Sequence, residues 1–359
     1  MTKDLLTEKC LWEKLREEKR PIILYGTGNG ADKILDVCEK FNIIVSGVFA
    51  SSGFVRNRTF RGMPVESYET IIEKYGNDIV ILLAFGTTLP DVIKRITEIA
   101  RNHTLYIPEV PLYGTELFDR AYYTKHIKEI EDTENIFEDE ESKLLYEEMI
   151  KFRLYGTPSL LHRVESSLEM YKELLNPLDI KTIIDCGAFK GDSTSELISA
   201  LSPQKIYALE PDPKTFTKLS EYCGTVTDCN AIPLNYAVGD KDCETEFHSS
   251  GSRGSGIEGA NHRGKTKIIA TRKLDSIILE PIDLIKLDVE GNEKEAISGA
   301  NELISRYQPS MSVSLYHRSE DIYELPLIIK KLCPDHKFYL RRVPCIPAWD
   351  LSLVAVKTK

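Results

Sequence analysis

The stretch TIIDCGAFKGDSTSE, residues 182–196, runs from an apolar strand into a glycine-flanked turn and then into the start of a helix. Gly187 and Gly191 would let the backbone of this turn approach a ligand without a Cβ in the way. Ser193 and Glu196 have the spacing of a capping box, which predicts that a helix begins here. The free amides of that helix would face a carboxylate or a phosphate. The turn, with Asp185 at its entrance, is therefore a candidate cofactor site.

A second acid, Glu210, follows the apolar run KIYAL, 25 residues after Asp185. At the end of a strand its carboxylate can accept hydrogen bonds from both hydroxyls of a ribose. The turn reads D-x-G-A-x-x-G instead of the G-x-G-x-x-G of dinucleotide-binding enzymes. This difference favours a ligand with an ammonium group and a nucleoside over one with a pyrophosphate. S-adenosylmethionine meets both demands, with its adenine expected beside Ala237 and Val238.

Residues 183–328 resemble the FkbM-type S-adenosylmethionine-dependent methyltransferases, most specifically in LIKLDVEGNE followed by a helix of small residues. The other matching stretches, in chain order, are DCGAFKGDS, ALEPDP, NYAVGD, TRKLDSI and VSLYHRSEDIYELP. The resemblance implies methyl transfer to oxygen, commonly to a hydroxyl of a sugar or a polyketide-like compound. With the residues discussed above, it gives the predicted cofactor-binding set Asp185, Gly187, Ala188, Gly191, Glu210, Ala237, Val238 and Asp288.

Methylation of a hydroxyl requires a base, and three side chains are candidates: Asp288, Glu290 and His317. They end two predicted strands, LIKLDVE and SVSLYH, whose carboxyl ends should meet at one crevice. Other roles stay open, because the two carboxylates could cap or salt-bridge the next helix through Lys294. His317 could equally be a structural histidine at a strand end. Asp288 and Glu290 provide only two carboxylates, so no metal site is predicted.

The glycine-rich segment SSGSRGSGIEGANHRGK separates two predicted strands. His248 precedes this segment and His262 lies near its end, and both are expected to be exposed. If this segment closes over the site, Arg253 and Arg263 would meet an anionic acceptor such as a sugar phosphate.

A different glycine turn, ILYGTGNGA, provides Gly26, Gly28 and Ala31 in the permissive dinucleotide-binding spacing. The next strand ends in ASS, where an acid for the ribose would be expected. This region resembles the small Rossmann-like modules at the front of sugar-modifying enzymes, and a nucleotide site and a ligand-free tight turn both remain open. Two other functions also stay open: an NAD(P)-dependent oxidoreductase that uses this turn, and a non-catalytic nucleotide-binding assembly module.

Alternating strand and helix patterns place both turns in doubly wound parallel sheets, an α/β fold. We predict two Rossmann-like domains, at residues 1–115 and 179–359. Between them, over residues 116–178, the strand pattern disappears and apolar residues recur at helical spacing, which predicts a helical connector. The last stretches, KFYLRRV and LSLVAVK, predict an antiparallel strand pair that closes a methyltransferase-type sheet.

Composition limits the partners. The net charge of −10 resides mainly in residues 129–148, which hold ten Asp/Glu and one Lys, and no basic stripe suggests nucleic acid. Eight cysteines without metal-ligand spacing predict buried free thiols. No secretory signal and no apolar run long enough for a membrane span is visible. We therefore expect a cytoplasmic enzyme that acts on a small hydroxylated acceptor such as a carbohydrate.

Overall fold

The structure is a computed structural model that describes residues 5–51, 53, 55, 58–161, 167–249, 265–343 and 345–358. The hypotheses on Arg253, Arg263 and His262 lie outside these residues, and so does the side chain of His248. The structure is an α/β fold with two large, mainly parallel sheets, as predicted.

The N-terminal sheet orders its six strands β3-β4-β2-β1-β5-β6, and only β3 and β4 pair antiparallel. The strands are β1 Ile22–Tyr25, β2 Val45–Phe49, β3 Thr59–Phe60, β4 Met63–Glu66, β5 Val80–Leu83 and β6 Thr104–Tyr106. The helices are α1 Leu11–Glu17, α2 Asn29–Lys40, α3 Tyr68–Tyr75 and α4 Pro90–Asn102. Strands β1 and β5 are buried at every residue because helices cover both faces of the sheet, which explains their continuous apolar sequences.

The middle of the chain is helical, as its apolar spacing predicts. It contains α5 Arg120–Lys125, α6 Ile127–Glu134, α7 Glu140–Tyr155, the 3-10 helix Pro158–Leu161 and α8 Ser167–Leu174. Within the acidic segment, Asp139 accepts hydrogen bonds from the Ser142 backbone N–H and from Arg341, both at 2.8 Å. Part of this negative charge therefore caps α7 and fixes it to the C-terminal sheet.

The C-terminal sheet has seven strands in the order β15-β16-β14-β13-β7-β8-β9. They are β7 Thr182–Cys186, β8 Lys205–Leu209, β9 Asn230–Leu234, β13 Leu284–Leu287, β14 Ser310–Ser314, β15 Lys337–Arg342 and β16 Leu351–Val356. Strand β16 runs antiparallel to both β14 and β15, and the other pairs are parallel. The strand order reverses between β7 and β13, so the crevice at their carboxyl ends is a topological switch point, where ligands bind in such sheets.

In the described part of the C-terminal half, six helices and a small sheet complete the fold. The helices are α9 Asp192–Leu201, α10 Pro213–Cys223, α11 Leu274–Ile277, α12 Glu293–Ser298, α13 Asn301–Tyr307 and α14 Asp321–Leu332, and the small sheet contains β10 Ala237–Val238, β11 Cys243–Ser249 and β12 Lys265–Arg272. The small-residue stretch after LDVEGN forms two helices, α12 and α13, because the chain turns at Gly299. A Cβ at Gly299 would lie 1.9 Å from the Gly239 carbonyl oxygen.

One apolar core joins the two sheets through the connector. It contains Ile23 of β1, Phe118 and Tyr146 of the middle segment, and Ile184 and Phe338 of the C-terminal sheet. Seven of the eight free cysteines are buried, and Cys243 is partly exposed. Across the described ranges, no helix combines the length and apolar character that a bilayer span requires.

Candidate active site

A cavity of about 830 Å³ lies at the carboxyl ends of strands from both large sheets. Gly28, Asn29 and Lys33 line it on the N-terminal side. On the C-terminal side, five of the eight residues of the predicted cofactor-binding set line it: Gly187, Glu210, Ala237, Val238 and Asp288. The tertiary structure thus brings the two glycine turns, far apart in sequence, to a single cavity.

Asp185 differs from its predicted position, because its side chain is fully buried beneath the turn and does not line the cavity. Its Oδ2 accepts hydrogen bonds from Ser193 Oγ at 2.8 Å and Thr194 Oγ1 at 2.7 Å. Its Oδ1 lies 3.1 Å from Lys286 Nζ. Burial acts to lower the pKa of Lys286, but the surrounding acidic groups, Asp185 first and then Asp288, together raise it. Asp185 therefore holds the turn and the start of α9 in place instead of touching a ligand.

Packing within the protein explains the two glycines of this turn, whereas the sequence interpretation assigned them to the close approach of a ligand. Gly187 has φ +78°, and a Cβ on it would lie 1.9 Å from the Asp288 carbonyl oxygen. Gly191 has φ +100°, and its Cβ would lie 2.3 Å from the Tyr222 ring. Both glycines are thus required by the protein's own packing. Ala188, fully buried in a small apolar cluster, lies behind the cavity wall.

Glu210 occupies the predicted place at the end of β8. It is 7% exposed, lines the cavity, and accepts a hydrogen bond from the Asp212 backbone N–H at 2.8 Å. Burial raises the pKa of Glu210 to about 7, although the backbone hydrogen bond acts in the opposite direction. Ala237 and Val238 form an apolar wall in the same cavity, next to Tyr236.

Asp288 and Glu290 form the cavity floor at the end of β13. Asp288 Oδ1 accepts a hydrogen bond from Tyr316 at 3.0 Å, and Glu290 Oε2 accepts one from Tyr113 at 2.9 Å. Burial acts to raise the pKa of Asp288, but Lys286 and the nearby imidazole of His317 hold it below the usual value. Burial raises the pKa of Glu290 to about 7. The two carboxylates therefore differ in proton affinity although both face one cavity.

Comparisons with known proteins identify this half of the chain. Residues 185–340 match the family described as the methyltransferase FkbM domain. Residues 185–340 form an FkbM methyltransferase domain.

Two individual proteins are similar to the chain. The 2-O-methyltransferase NoeI of Sinorhizobium fredii is 23% identical over 192 residues, covering 46% of this chain and 77% of the relative. The crystal structure of methyltransferase FkbM from Methylobacillus flagellatus KT superposes with a TM-score of 0.70 at 21% identity, covering 95% of this chain and 91% of that chain. The second similarity includes the N-terminal sheet and establishes a shared fold over nearly the whole length.

Beneath the floor of the FkbM domain lies His317, which is fully buried and does not line the cavity. Its Nδ1 is 2.9 Å from Glu293 Oε1, and its Nε2 is 3.6 Å from both Asp288 Oδ1 and Glu290 Oε2. Burial acts to lower the pKa of His317, but the three carboxylates raise it to about 10. His317 is therefore separated from the cavity and lies near the two floor carboxylates. Lys294 pairs with Glu324, so it does not engage the floor carboxylates as the alternative interpretation required.

Sequence reasoning missed two participants. Glu293, at the first position of α12, is 1% exposed and also accepts a hydrogen bond from the Val289 backbone N–H at 2.8 Å. It groups with Asp288 and His317, because one potential ligand atom of each residue lies within 4.8 Å of the other two. Glu290, the second carboxylate considered in the sequence interpretation, does not belong to this group. Tyr113 reaches Glu290 from 177 residues away, and no local pattern signals such a contact.

The N-terminal turn contributes a wall to the cavity of the FkbM domain. Gly28 lines the cavity, and a Cβ on it would have no neighbour within 4 Å. Gly26, with φ +121°, closes the turn, and Ala31 is fully buried inside α2. Ser51 follows β2 and pairs its hydroxyl with that of Tyr25 at 2.9 Å. The strand that follows this turn, β2, leads into Ala50 and Ser51, so no acid stands where a ribose partner would be expected.

Proposed function

We propose that the chain transfers a methyl group from S-adenosylmethionine to a hydroxyl oxygen of a small, carbohydrate-type acceptor. The observation that carries this proposal is the position of Glu210, a buried acid that lines the same cavity as the Asp288–Glu290 floor. A site for a ribose and a site for a proton acceptor thus share one space.

The side chains of the cavity fit the cofactor. The Glu210 carboxylate would accept hydrogen bonds from the ribose hydroxyls, and the apolar surface of Ala237 and Val238 would lie against the adenine. Gly187 and Ser193 line the part of the wall expected to hold the amino-acid end. When bound, S-adenosylmethionine would supply an electrophilic methyl group on a charged sulfonium.

The chain's own residues would orient the acceptor and remove its proton. Glu290, with a pKa of about 7, suits a general base near neutral pH, because such a group is ionised yet still basic. Asp288, with a lowered pKa, would remain a carboxylate that accepts a hydrogen bond and orients the hydroxyl. Tyr113 and Tyr316 fix these two carboxylates by donating to them. His317, beneath them, would act as a positioning residue.

Two observations support methyl transfer to oxygen and an acceptor that carries polar groups. The relative from Sinorhizobium fredii is named a 2-O-methyltransferase, which agrees with transfer to a hydroxyl. On the side of the N-terminal sheet the cavity is lined by polar side chains that suit an acceptor with several hydroxyls: Asn29, Lys33, Thr87, Thr88 and Glu109.

The test combines ligand binding with turnover. Thermal unfolding of the full chain is measured with S-adenosylmethionine, S-adenosylhomocysteine, NAD(H) and NADP(H), for the wild type, Glu210→Gln and the exposed control Glu221→Gln. We expect a rise of roughly 5 °C with saturating adenosyl ligands, retained in Glu221→Gln and lost in Glu210→Gln.

Turnover is then followed with methyl-labelled cofactor and a panel of free, phosphorylated and nucleotide-linked sugars. Label in an ether linkage on a sugar supports the proposal. Stabilisation by the nicotinamide nucleotides alone would overturn it and move the chemistry to the N-terminal turn.

A further inference from the structure

We propose that Asp288, Glu293 and His317 form a binding site for a divalent transition-metal ion directly beneath the floor of the cavity. One ligand atom from each residue lies within 4.8 Å of the other two. Metal–ligand bonds of ~2.1 Å place two ligands of the same ion roughly 3–4 Å apart, so small side-chain adjustments suffice to complete the site.

Buried polar atoms without hydrogen bonds provide an independent argument. Among the described residues, eight buried side-chain nitrogen or oxygen atoms have no hydrogen-bond partner, and three of them lie in this cluster: Nδ1 and Nε2 of His317 and Oε2 of Glu293. Although Nδ1 lies only 2.9 Å from Glu293 Oε1, the contact lacks the angle of a hydrogen bond. Atoms of this kind are costly to bury unless something else satisfies them. One metal ion would take a single imidazole nitrogen of His317 and an oxygen of Glu293, and the other ring nitrogen would keep its N–H toward a carboxylate.

The charges of the cluster favour a cation. Four carboxylates shift the pKa of His317 or of one another by their charge: those of Asp288, Glu290, Glu293 and Asp321. A single imidazole faces these four carboxylates. Lys286 pairs with Asp185 and also lowers the pKa of Asp288, so it offsets part of this negative charge. A divalent ion would neutralise the excess carboxylate charge, which protons must otherwise do.

The ligand set indicates the class of metal. One imidazole with two carboxylates suits Mn²⁺, Fe²⁺, Co²⁺ or Zn²⁺, whereas Mg²⁺ and Ca²⁺ prefer oxygen ligands alone. Three protein ligands leave coordination positions open, and Asp288 lines the cavity, so an open position would face it. If the proposed methyl transfer is correct, an acceptor hydroxyl bound at that position would lose its proton more readily. The binding site itself does not depend on that role.

Mn²⁺ is the probe of choice, because it binds weakly to the free thiols of this chain and its free form is counted directly by electron paramagnetic resonance. The full chain, first treated with a chelator, is titrated with Mn²⁺ with and without a tenfold excess of Mg²⁺. We expect one Mn²⁺ per chain that Mg²⁺ does not displace. Asp288→Asn should weaken binding at least tenfold, while Glu302→Gln, which removes an exposed carboxylate from α13, should leave it unchanged.

Asp288 is partly exposed, so its variant is expected to fold, and circular dichroism checks this. No Mn²⁺ or Zn²⁺ binding at millimolar concentration would overturn the proposal and assign the cluster to a protonated histidine held among carboxylates. Equal binding by wild type and Asp288→Asn would also overturn it. Calorimetry of S-adenosylhomocysteine binding to the metal-free chain tests the proposed function separately, so failure of either proposal is recognisable.

Discussion

The two glycine turns of this chain resemble each other in backbone and differ in chemistry. Each ends a buried parallel strand with a glycine of positive φ, Gly26 at +121° and Gly187 at +78°, and each leads to the same cavity. Two residues before these glycines stand Leu24 and Asp185, respectively. The turn itself is thus a way to connect a strand to a helix. The charged residues around the turn decide whether a polar ligand can bind there.

The strands that follow the turns differ in the same way. Strand β8 of the C-terminal sheet is followed by Glu210, whereas β2 of the N-terminal sheet is followed by Ala50 and Ser51. We infer that the C-terminal turn provides the cofactor site and that the N-terminal turn forms an acceptor-side wall. The following experiments would break or sharpen this distinction.

The largest effect is expected for Asp185→Asn. Lys286 is buried and would lose its carboxylate partner, and breaking a buried ion pair in this way costs about 3–5 kcal/mol. Urea unfolding measures the loss. The control is Asp179→Asn, which breaks an exposed pair with Lys181 and should change the free energy of unfolding by less than about 1 kcal/mol. Equal effects would show that the charge beneath the C-terminal turn is not important.

Alanine substitutions at the two turns should distinguish a glycine that is required by packing from a glycine that faces open space. Gly187→Ala places a Cβ against the Asp288 carbonyl oxygen at a positive φ, and we expect a loss of about 2–4 kcal/mol in the free energy of unfolding. Gly28→Ala meets no atom within 4 Å and should change stability by less than about 0.5 kcal/mol. A sharp fall in S-adenosylhomocysteine affinity in Gly28→Ala would contradict our assignment, since it would place the cofactor at the N-terminal turn.

Glu210→Gln should weaken S-adenosylhomocysteine binding about 10- to 100-fold, because two hydrogen bonds lose their charged acceptor. Isothermal titration calorimetry measures this change. Glu221→Gln removes an exposed carboxylate from α10, a helix that contacts β9 of the same sheet, and should bind normally. Unchanged affinity in Glu210→Gln would remove the main support for the ribose site.

The smallest expected effect is the pH dependence of binding, which is centred near neutral pH and has a defined sign. Burial raises the pKa of Glu210 to about 7, so the carboxylate that accepts from a ribose is lost as the pH falls through 7. Affinity for S-adenosylhomocysteine should therefore fall about tenfold between pH 8 and pH 6.

Without ligand the sign is opposite. The folded state binds this proton more tightly than the unfolded state, so the contribution of Glu210 to stability increases from pH 7 down to about 4.5. Glu210→Gln should flatten both profiles, and a binding profile that stays steep in this variant would assign the titration to another group.

Local patterns were sufficient for much of the fold. Apolar runs such as IILY and TIIDC predict buried strands, and the helices of the middle segment follow from their apolar spacing. The short strands β3, β4 and β6 were missed, because their two to four residues lack the continuous apolar run that marks β1 and β5. Glu210 could be recognised from the sequence, because its position directly after a strand is a local property of the chain.

By itself, then, the sequence determined the parallel sheets, the two glycine turns, and the acids that end β8 and β13. The tertiary structure decided the rest. It buried Asp185 over Lys286, placed Glu293 against His317, and brought Tyr113 to a carboxylate 177 residues away. The physical reason is that strand and turn propensities act over a few residues, whereas burial and charge pairing depend on which distant segments share a volume.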